Sequence, residues 1–352
     1  MKIIRVLVID DSAFMRKMIS DMLSSHHKIK VIGTARNGKV GLQRIKELKP
    51  DVVTLDIEMP IMDGLETLEH IMSRHDIPVI MLSSEAREGA SKTLQALSLG
   101  AIDFIEKPSG QISLNITEVK QDLINKVLAA TNVNQVEEVN VKKELKDRNI
   151  PLTRVKKEVI IAIGTSTGGP KALQEVLVSL PKNIQAPILI VQHMPPTFTK
   201  SLANRLNTLT DITVKEATNG ELIQKGTAYI APGNYHMEVQ RTLSGEKRIR
   251  LTQDPLVSGH RPSVDVLFYS LEQLRDMNKI AVILTGMGKD GSRGAKYLKD
   301  RDSEAVVISE SKESSVVYGM PAAVVKAGCV DKVVHLSQVS EELVHLTKTR
   351  GN

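Results

Sequence analysis

The sequence contains no tryptophan, a single cysteine and only 3% aromatic residues among its 352 positions. A lone cysteine, Cys329, excludes an intrachain disulfide framework and a cysteine-rich zinc site. We interpret Cys329 as a small buried hydrophobic residue rather than a nucleophile. The scarcity of aromatic rings also leaves little side-chain surface on which nucleic-acid bases can stack.

Long apolar runs are also absent. No stretch approaches the roughly 20 consecutive apolar residues that a membrane-spanning helix needs, so we expect no insertion into a membrane. Lys2 and Arg5 flank a strand-like start that lacks the apolar core of a secretion signal. We therefore expect a cytoplasmic protein.

The formal net charge is +6 at pH 7, and most of the excess lies in residues 126–157. A DNA-binding effector domain would need a basic recognition helix within a helix-turn-helix pattern, and the sequence offers neither. We therefore expect no nucleic-acid partner.

Two segments alternate short apolar runs with helical patterns, which predicts two α/β domains with mainly parallel sheets. We assign the first domain to residues 1–125, an interdomain linker to 126–157 and the second domain to 158–352. Pro151 lies in the polar linker, where we predict a helical piece at residues 139–146. The strands predicted for the first domain are Ile3–Ile9, Lys30–Ala35, Val52–Leu55, Val79–Leu82 and Ile102–Ile105, and the helices are Ala13–Ser24, Gly38–Leu48, Gly64–Ser73, Ser91–Leu99 and Ile116–Ala130.

The second domain is predicted to be doubly wound and mainly parallel, with an antiparallel hairpin. A helical pattern at Pro170–Leu180 follows its first strand. The predicted strands are Val159–Ile163, Ile188–Val191, Thr227–Ile230, Ile280–Leu284 and Ala305–Ile308, and the hairpin strands are Met237–Gln240 and Arg248–Thr252.

Carboxylates follow two predicted strands of the first domain. Asp10 and Asp11 end the first strand and Asp56 ends the third. The carboxyl ends of parallel strands meet at one edge of the sheet, so these groups converge there. Like charges at that spacing are costly unless a cation offsets them, and carboxylate oxygens suit Mg²⁺. Alternatively, Asp10 and Asp11 belong to a helix N-cap and Asp56 is a loop acid.

Two further polar groups follow strands of the same sheet. A hydroxyl from Ser83 or Ser84 follows the fourth strand, and Lys107 follows the fifth, beside Pro108. With Mg²⁺, the lysine would neutralise a phosphate while the hydroxyl bonds one of its oxygens. The set favours a carboxylate that accepts a phosphoryl group.

Three motifs, Val-Leu-Val-Ile-Asp-Asp-Ser, Leu-Asp-Ile-Glu-Met-Pro-Ile-Met-Asp-Gly and Glu-Lys-Pro, make residues 1–125 similar to receiver domains of two-component response regulators. The resemblance implies a five-stranded parallel, flavodoxin-like sheet and phosphorylation of Asp56 by a histidine kinase. Ser84 departs from the alanine of many receivers. The resemblance also implies Mg²⁺ held by Asp10, Asp11, Asp56 and the Glu58 carbonyl, with Lys107 in support and Ser83 and Phe104 as switch residues.

The turn Gly164-Thr165-Ser166-Thr167-Gly168 joins a predicted strand to a predicted helix. A serine between two glycines at such a turn is typical of a nucleophile elbow. His193 and Asp290 each follow another predicted strand, so we predict that Ser166, His193 and Asp290 meet as nucleophile, base and orienting acid. The N–H of Thr167 and that of Met287 are the predicted oxyanion donors.

Other interpretations of these residues exist. The glycine-rich turn could cradle a phosphate, although it lacks the spacing and the lysine of a P-loop. His236 and His260 compete with His193 for the role of base, and Asp290 could instead cap the following helix. The first of these alternatives, the phosphate-cradling turn, describes a phosphate- or nucleotide-binding module.

Six ordered motifs make residues 158–352 similar to the catalytic domain of the chemotaxis protein-glutamate methylesterases. They are Ile-Gly-Thr-Ser-Thr-Gly-Gly-Pro, Gln-His-Met-Pro, Ile-Ala-Pro-Gly-Asn-Tyr-His-Met, His-Arg-Pro-Ser-Val-Asp-Val-Leu-Phe, Thr-Gly-Met-Gly-Lys-Asp-Gly and Tyr-Gly-Met-Pro. The order of the domains, with the receiver first, matches this family too. Thr165 stands where the family often has alanine or serine.

The methylesterase resemblance implies a catalytic triad at Ser166, His193 and Asp290, with no cofactor for ester hydrolysis. It implies that γ-glutamyl methyl esters on chemoreceptors are hydrolysed to glutamate and methanol, and that some receptor glutamines are deamidated. It further implies activation when phosphorylation of the receiver relieves its masking of the active site. The expected partners are a chemotaxis histidine kinase and methyl-accepting receptors, and we expect a monomer.

Overall fold

The computed structural model describes residues 3–83, 87–107, 116–131 and 157–351. The chain divides into two compact units between residues 137 and 138. Ser84, Pro108 and the helical piece predicted at 139–146 lie outside the described residues. Within the described part of the chain, no helix is long and apolar enough to cross a membrane.

The first unit alternates strands and helices around a parallel sheet ordered β2-β1-β3-β4-β5. The elements are β1 (Ile4–Ile9), α1 (Ala13–Ser24), β2 (Ile29–Ala35), α2 (Gly38–Leu48), β3 (Val52–Asp56), α3 (Gly64–Arg74), β4 (Val79–Ser83), α4 (Arg87–Leu99), β5 (Asp103–Glu106) and α5 (Ile116–Thr131).

The central strands of this sheet are buried on both faces, which explains their nearly unbroken apolar sequence. Every residue of β3 is buried, and so is every residue of β4. The chain leaves β1 toward β2 and later returns on the other side at β3, so the strand order reverses between β1 and β3. In open α/β sheets such a reversal opens a crevice at the carboxyl ends of the strands.

The second unit contains a seven-stranded parallel sheet ordered β14-β13-β12-β6-β7-β9-β8 and a separate antiparallel hairpin of β10 and β11. The elements are β6 (Glu158–Thr165), α6 (Gly169–Val178), β7 (Ile188–Gln192), α7 (Pro196–Leu209), β8 (Thr213–Glu216), β9 (Thr227–Ile230), β10 (His236–Arg241), β11 (Lys247–Thr252), α8 (Val264–Ser270), a 3₁₀ helix (Leu271–Gln273), β12 (Met277–Ile283), α9 (Ser292–Arg301), β13 (Val306–Glu310), α10 (Met320–Lys326), β14 (Lys332–Val334) and α11 (Leu336–Arg350).

In this sheet β6 pairs with β7 on one side and with β12 on the other. A reversal of strand order therefore falls at β6, and the loops after β6, β7 and β12 border the same crevice. The predicted fold class is confirmed: both sheets are parallel, and the antiparallel hairpin is present.

Some element boundaries differ from the predictions for identifiable reasons. The strand predicted to begin at Ile280 begins at Met277, because its early polar residues have partners: Lys279 bonds Asp302 and is almost fully buried. The helix predicted at Pro170–Leu180 begins at Gly169 and ends at Val178. Its early end is explained by Pro181, which disfavours helical geometry at the preceding residue.

Cys329 is buried, and burial raises the pKa of its thiol to about 11. A thiol with so high a pKa has little thiolate at neutral pH and is a poor nucleophile. The interpretation of Cys329 as a buried hydrophobic residue is confirmed.

Candidate active site and acidic pocket

The three predicted catalytic residues lie in the loops that leave adjacent parallel strands. Ser166 directly follows β6, His193 directly follows β7, and Asp290 lies between β12 and α9. The backbone supports this arrangement, since the Ser166 N–H donates to the Thr285 carbonyl at 3.0 Å and the His193 N–H donates to the Thr165 carbonyl at 3.2 Å. The strand order therefore brings these sequence-distant loops to one crevice.

His193 and Asp290 are in direct contact. The His193 Nε2 lies 2.9 Å from the Asp290 Oδ2, and both side chains are largely buried. Protein groups take the place of water around the buried Asp290 carboxylate. It also accepts hydrogen bonds from the Ser263 hydroxyl and from the backbone N–H groups of Val264, Asp265 and Gly291. The carboxylate is thus fixed from several sides.

The same contacts keep Asp290 ionised. Burial alone would raise its pKa, but the hydrogen bond and charge of His193, with the bonds from Val264 and Ser263, outweigh burial and lower the pKa to about 2. An ionised acid beside His193 favours one orientation of the ring and stabilises its protonated form.

The second nitrogen of the His193 ring differs from the first in its hydrogen bonding. The Nδ1 is buried and has no hydrogen-bond partner among the described residues. In the serine-protease triad the acid binds Nδ1 and Nε2 faces the serine. Here Nε2 faces Asp290, so Nδ1 is the nitrogen with capacity to accept a proton.

Ser166 is partly exposed at a tightly packed turn. Gly286 explains how closely the next loop approaches it, since a Cβ on Gly286 would lie 2.9 Å from the Ser166 Cβ. Gly168 adopts a left-handed conformation with φ of 79°, which favours glycine at the start of α6. Both glycines are therefore needed to place the serine at the crevice.

The predicted oxyanion donors belong to the two loops that meet at Ser166. Thr167 follows the serine and is buried, and Met287 follows Gly286 and is partly exposed. The Thr167 carbonyl accepts a hydrogen bond from the Thr285 hydroxyl at 2.9 Å, which ties the turn to the end of β12.

The competing histidines occupy different positions. His236 belongs to β10, is buried and places its Nε2 3.1 Å from the Pro255 carbonyl. His260 stacks on His193, with ring centroids 3.9 Å apart and planes 10° from parallel. The ring shown in direct contact with Asp290 is that of His193.

Sequence reasoning missed several residues that support the turn. Thr285 is the main one: its carbonyl accepts from the Ser166 N–H and from the Thr165 hydroxyl, and its own N–H donates to the buried Glu310 carboxylate at 2.6 Å. Burial raises the pKa of Glu310 to about 7 despite the hydrogen bonds that it accepts from Thr285 and Ser314. The available sequence signal was position: Thr285 lies two residues after β12, and Glu310 is the last residue of β13.

The first unit contains the predicted acidic pocket. The Lys107 Nζ lies 2.7 Å from the Asp56 Oδ1 and 3.0 Å from the Asp10 Oδ2. Burial raises the pKa of Asp56 to about 6, and the nearby Asp10 adds to this effect, while Lys107 opposes it. Asp11 is exposed, yet one oxygen from each of the three carboxylates lies within 4.8 Å of the others.

These residues fit a divalent cation. The Asp56 Oδ2 is buried and has no hydrogen-bond partner among the described residues, so it has free coordination capacity. Three carboxylates around one point are the hard oxygen donors that Mg²⁺ prefers.

The predicted switch residues belong to the two strands that follow β3 in the sheet. Ser83 ends β4 and its hydroxyl accepts from the Thr93 hydroxyl at 2.6 Å. Phe104 is buried in β5, and the Lys126 ammonium lies 5.4 Å from the centre of its ring.

Comparison with known proteins agrees with both halves of this description. The family model for the CheB methylesterase matches residues 161–343, and the model for the response regulator receiver domain matches residues 6–117. The chain belongs to the CheB methylesterase family. Membership confirms the predicted family and the predicted enzyme class, since the second unit is a methylesterase domain that follows a receiver domain.

Relatives match over nearly the whole chain. A protein-glutamate methylesterase/protein-glutamine glutaminase of Oceanobacillus iheyensis is 50% identical over 98% of this chain and 99% of its own length. One of the same name from Geobacillus kaustophilus is 51% identical over the same shares. The crystal structure of the Thermotoga maritima CheB methylesterase catalytic domain is 43% identical and covers 55% of this chain and 99% of its own, with a TM-score of 0.52.

Proposed function

We propose that this protein hydrolyses γ-glutamyl methyl esters on methyl-accepting chemotaxis receptors, releasing methanol and restoring glutamate. By the same route it deamidates certain receptor glutamines, releasing ammonia. The names of the relatives support this substrate class. The observation that carries the chemistry is the 2.9 Å contact between the His193 Nε2 and the ionised Asp290, in a crevice that also holds the Ser166 turn.

In the proposed first half-reaction, the Ser166 hydroxyl attacks the γ-carbonyl carbon while His193 removes its proton. The unpartnered Nδ1 is the nitrogen assigned to that proton. The tetrahedral oxyanion is stabilised by the N–H groups of Thr167 and Met287. Collapse of the intermediate breaks the ester C–O bond, and the proton held by His193 leaves with methoxide as methanol.

In the second half-reaction, water attacks the acyl group on Ser166 after giving a proton to His193. The acyl–serine bond then breaks, the proton on His193 returns to Ser166, and the γ-carboxyl group leaves and gives its remaining proton to solvent as it ionises to glutamate. Asp290 remains ionised throughout and stabilises the protonated imidazole. The ester hydrolysis needs no cofactor in this scheme.

The first unit is proposed to control the second through phosphorylation of Asp56 by a chemotaxis histidine kinase. Mg²⁺ would be held by Asp10, Asp11 and Asp56 and would offset the charge of the transferring phosphoryl group. Lys107 contacts two of these carboxylates and would bind the phosphate, with Ser83 and Phe104 responding to it. Phosphorylation then relieves masking of the active site by the receiver. We place this activity in the cytoplasm, in a monomer with domains 1–125 and 158–352 joined by the linker 126–157.

The test is methanol release from methylated receptor membranes. Ser166→Ala should abolish release while the protein stays folded, because alanine lacks the hydroxyl that attacks the ester. Ser179→Ala is the matched control, since Ser179 caps the far end of α6 and its hydroxyl donates to the Glu175 carbonyl, within the same helix. Release by Ser166→Ala at the wild-type rate would remove Ser166 from the mechanism.

A further inference from the structure

Gln192 lies between the two predicted reacting residues in space. It ends β7, directly before His193, and is 2% exposed. Its side-chain amide, Nε2, donates to the Ser166 carbonyl at 3.0 Å and to the His193 carbonyl at 3.2 Å. One buried amide group thus joins the peptide of the serine to the peptide of the histidine.

The other end of this carboxamide shows that the orientation is maintained at a cost. The Gln192 Oε1 is buried and has no hydrogen-bond partner among the described residues. An unsatisfied buried acceptor typically costs about 1–3 kcal/mol. Rotating the amide by half a turn would not help, because Oε1 would then face two carbonyl oxygens.

Gly169 makes room for this orphaned oxygen. A Cβ at Gly169 would lie 2.0 Å from the Gln192 Oε1. The Gly169 N–H also donates to the Ser166 carbonyl at 2.8 Å, so that carbonyl is held by the helix start and by Gln192 together. The glycine and the glutamine form one support behind the serine.

We propose that Gln192 is a positioning residue for ester hydrolysis, whose carboxamide sets the position of Ser166 relative to His193. This role rests on the proposed function, because the distance between Ser166 and His193 matters only if the two side chains act together in hydrolysis. Gln192 does not act on the substrate. It acts through the two backbone carbonyls, since misplacing a reacting group by about 1 Å can cost a hundredfold in rate.

The main test is Gln192→Met in the full-length protein, which keeps the volume of the side chain and removes both donated hydrogen bonds. We expect kcat to fall by about tenfold or more with KM changed less than about twofold, the pattern of an interaction that matters in the transition state. Methanol release from methylated receptor membranes gives both constants, and circular dichroism and thermal unfolding report the fold.

Asn278→Leu is the matched control. Asn278 is another buried carboxamide: its Nδ2 donates to the Arg350 carbonyl at 2.8 Å, and its Oδ1 has no partner among the described residues. It lies near the start of β12, at the opposite end of that strand from the loop that carries Asp290. We expect this variant to lose thermal stability as Gln192→Met does, but to keep its kcat well below its unfolding temperature.

A second pair of variants covers the case in which Gln192→Met fails to fold. Gly169→Ala removes no hydrogen-bond donor but pushes on the Gln192 Oε1, so it should lower kcat. In the Gln192→Ala background the contact with Gln192 is gone, while the contact with the Thr165 Oγ1, which would lie 2.6 Å from the added Cβ, remains. Adding Gly169→Ala should then lower kcat by a smaller factor than it does alone, a non-additivity that marks contacting residues.

The results separate this inference from the proposed function. An unchanged kcat in folded Gln192→Met, a rise in KM alone, or an equal loss of kcat in Asn278→Leu would overturn the positioning role. Additive effects of Gly169→Ala and Gln192→Ala would do the same. Full activity of Ser166→Ala, measured alongside, would instead overturn the proposed mechanism.

Discussion

At the scale of single residues, the two sites illustrate opposite ways to set the charge of a buried aspartate. Asp290 accepts hydrogen bonds from the Ser263 hydroxyl and the Val264 N–H and contacts His193, and these groups lower its pKa to about 2. Burial has the largest effect on the pKa of Asp56, which rises to about 6 even with Lys107 in contact. Hydrogen bonds to the charged form lower a carboxyl pKa, and desolvation raises it. Asp290 is therefore suited to a permanent charge, and Asp56 to a charge that a cation or phosphoryl group completes.

The role of Asp290 predicts the effect of an isosteric neutral replacement. Asp290→Asn should fold and lose roughly a hundredfold or more in kcat, because an amide neither stabilises protonated His193 nor fixes the same tautomer. Methanol release at saturating substrate measures the loss. Asp300→Asn is the control, since Asp300 pairs with Lys296 on the exposed face of α9. An Asp290→Asn variant with wild-type kcat would exclude Asp290 as the orienting acid.

The raised pKa of Asp56 predicts a pH-dependent cost to the first unit. Because its pKa moves from 3.8 to about 6 on folding, the folded state binds more protons over that interval, so stability falls as pH rises through it. Without Mg²⁺, Asp56→Asn should therefore stabilise this unit at pH 7, by on the order of 1–3 kcal/mol.

Calorimetry at pH 5 and pH 7 measures this effect in the full-length chain. The relevant unfolding transition is the one that added Mg²⁺ shifts in the wild-type protein. Asp21→Asn is the control, because Asp21 forms an exposed pair with Lys17. The prediction is contradicted if Asp56→Asn leaves that transition unchanged, or lowers it, at pH 7.

At the scale of elements, strand ends determine where the chemistry lies. The most predictable parts were the apolar central strands, such as β7, whose residues from Ile188 to Gln192 are all buried. The edge strands β8 and β14 were not predicted, because Thr213–Glu216 and Lys332–Val334 are short and partly polar. Parallel pairing to β9 and β13 makes them strands, and that pairing has no local signature.

The active site was likewise predictable in part. The order of strands and turns predicted that Ser166, His193 and Asp290 share a crevice, because each directly follows a strand or its loop. The sequence could not predict that the Nε2 of His193, rather than its Nδ1, contacts Asp290. The Asp290 carboxylate is held by backbone N–H groups in residues 263–265, which are distant in sequence. Support from Thr285 and Gln192 depends on contacts between distant elements and was missed for the same reason.

Thr285 links the end of β12 to the turn between β6 and α6, so its hydroxyl should matter for catalysis. Thr285→Val leaves the Thr167 carbonyl and the Val317 N–H without their present partner, at a cost of about 1–3 kcal/mol. We expect a lower unfolding temperature and a lower kcat.

Thr347→Val is the matched control for this change, because Thr347 is also buried and its hydroxyl donates to the Leu343 carbonyl, within α11. It should lose stability and keep kcat when assayed well below its unfolding temperature. Retention of full kcat by Thr285→Val would show that the link between the two loops is not needed to hold the serine.

At the scale of the whole molecule, the chain joins a receiver domain to a methylesterase domain. Each unit has its own core and its own crevice at the carboxyl edge of a parallel sheet. A relative's catalytic domain was crystallised separately, which supports independent folding of the second unit. Regulation therefore has to be tested by comparing the joined and the separated units.

If the receiver masks the active site, the second unit alone should be active without a phosphodonor. A fragment beginning at Lys157 retains the bond from its N–H to the Arg350 carbonyl and its ion pair with Glu304, so β6 keeps its anchoring at the start of the strand. We expect the fragment to release methanol at least as fast as the full chain treated with a small phosphodonor and Mg²⁺.

The full-length Asp56→Asn variant should stay at the unstimulated rate under the same treatment. A fragment slower than the untreated full chain would mean that the receiver contributes to catalysis, and stimulation of Asp56→Asn would place the control at another residue. The ratio of fragment to untreated full-chain rates then measures the masking directly, since both proteins carry the same Ser166, His193 and Asp290.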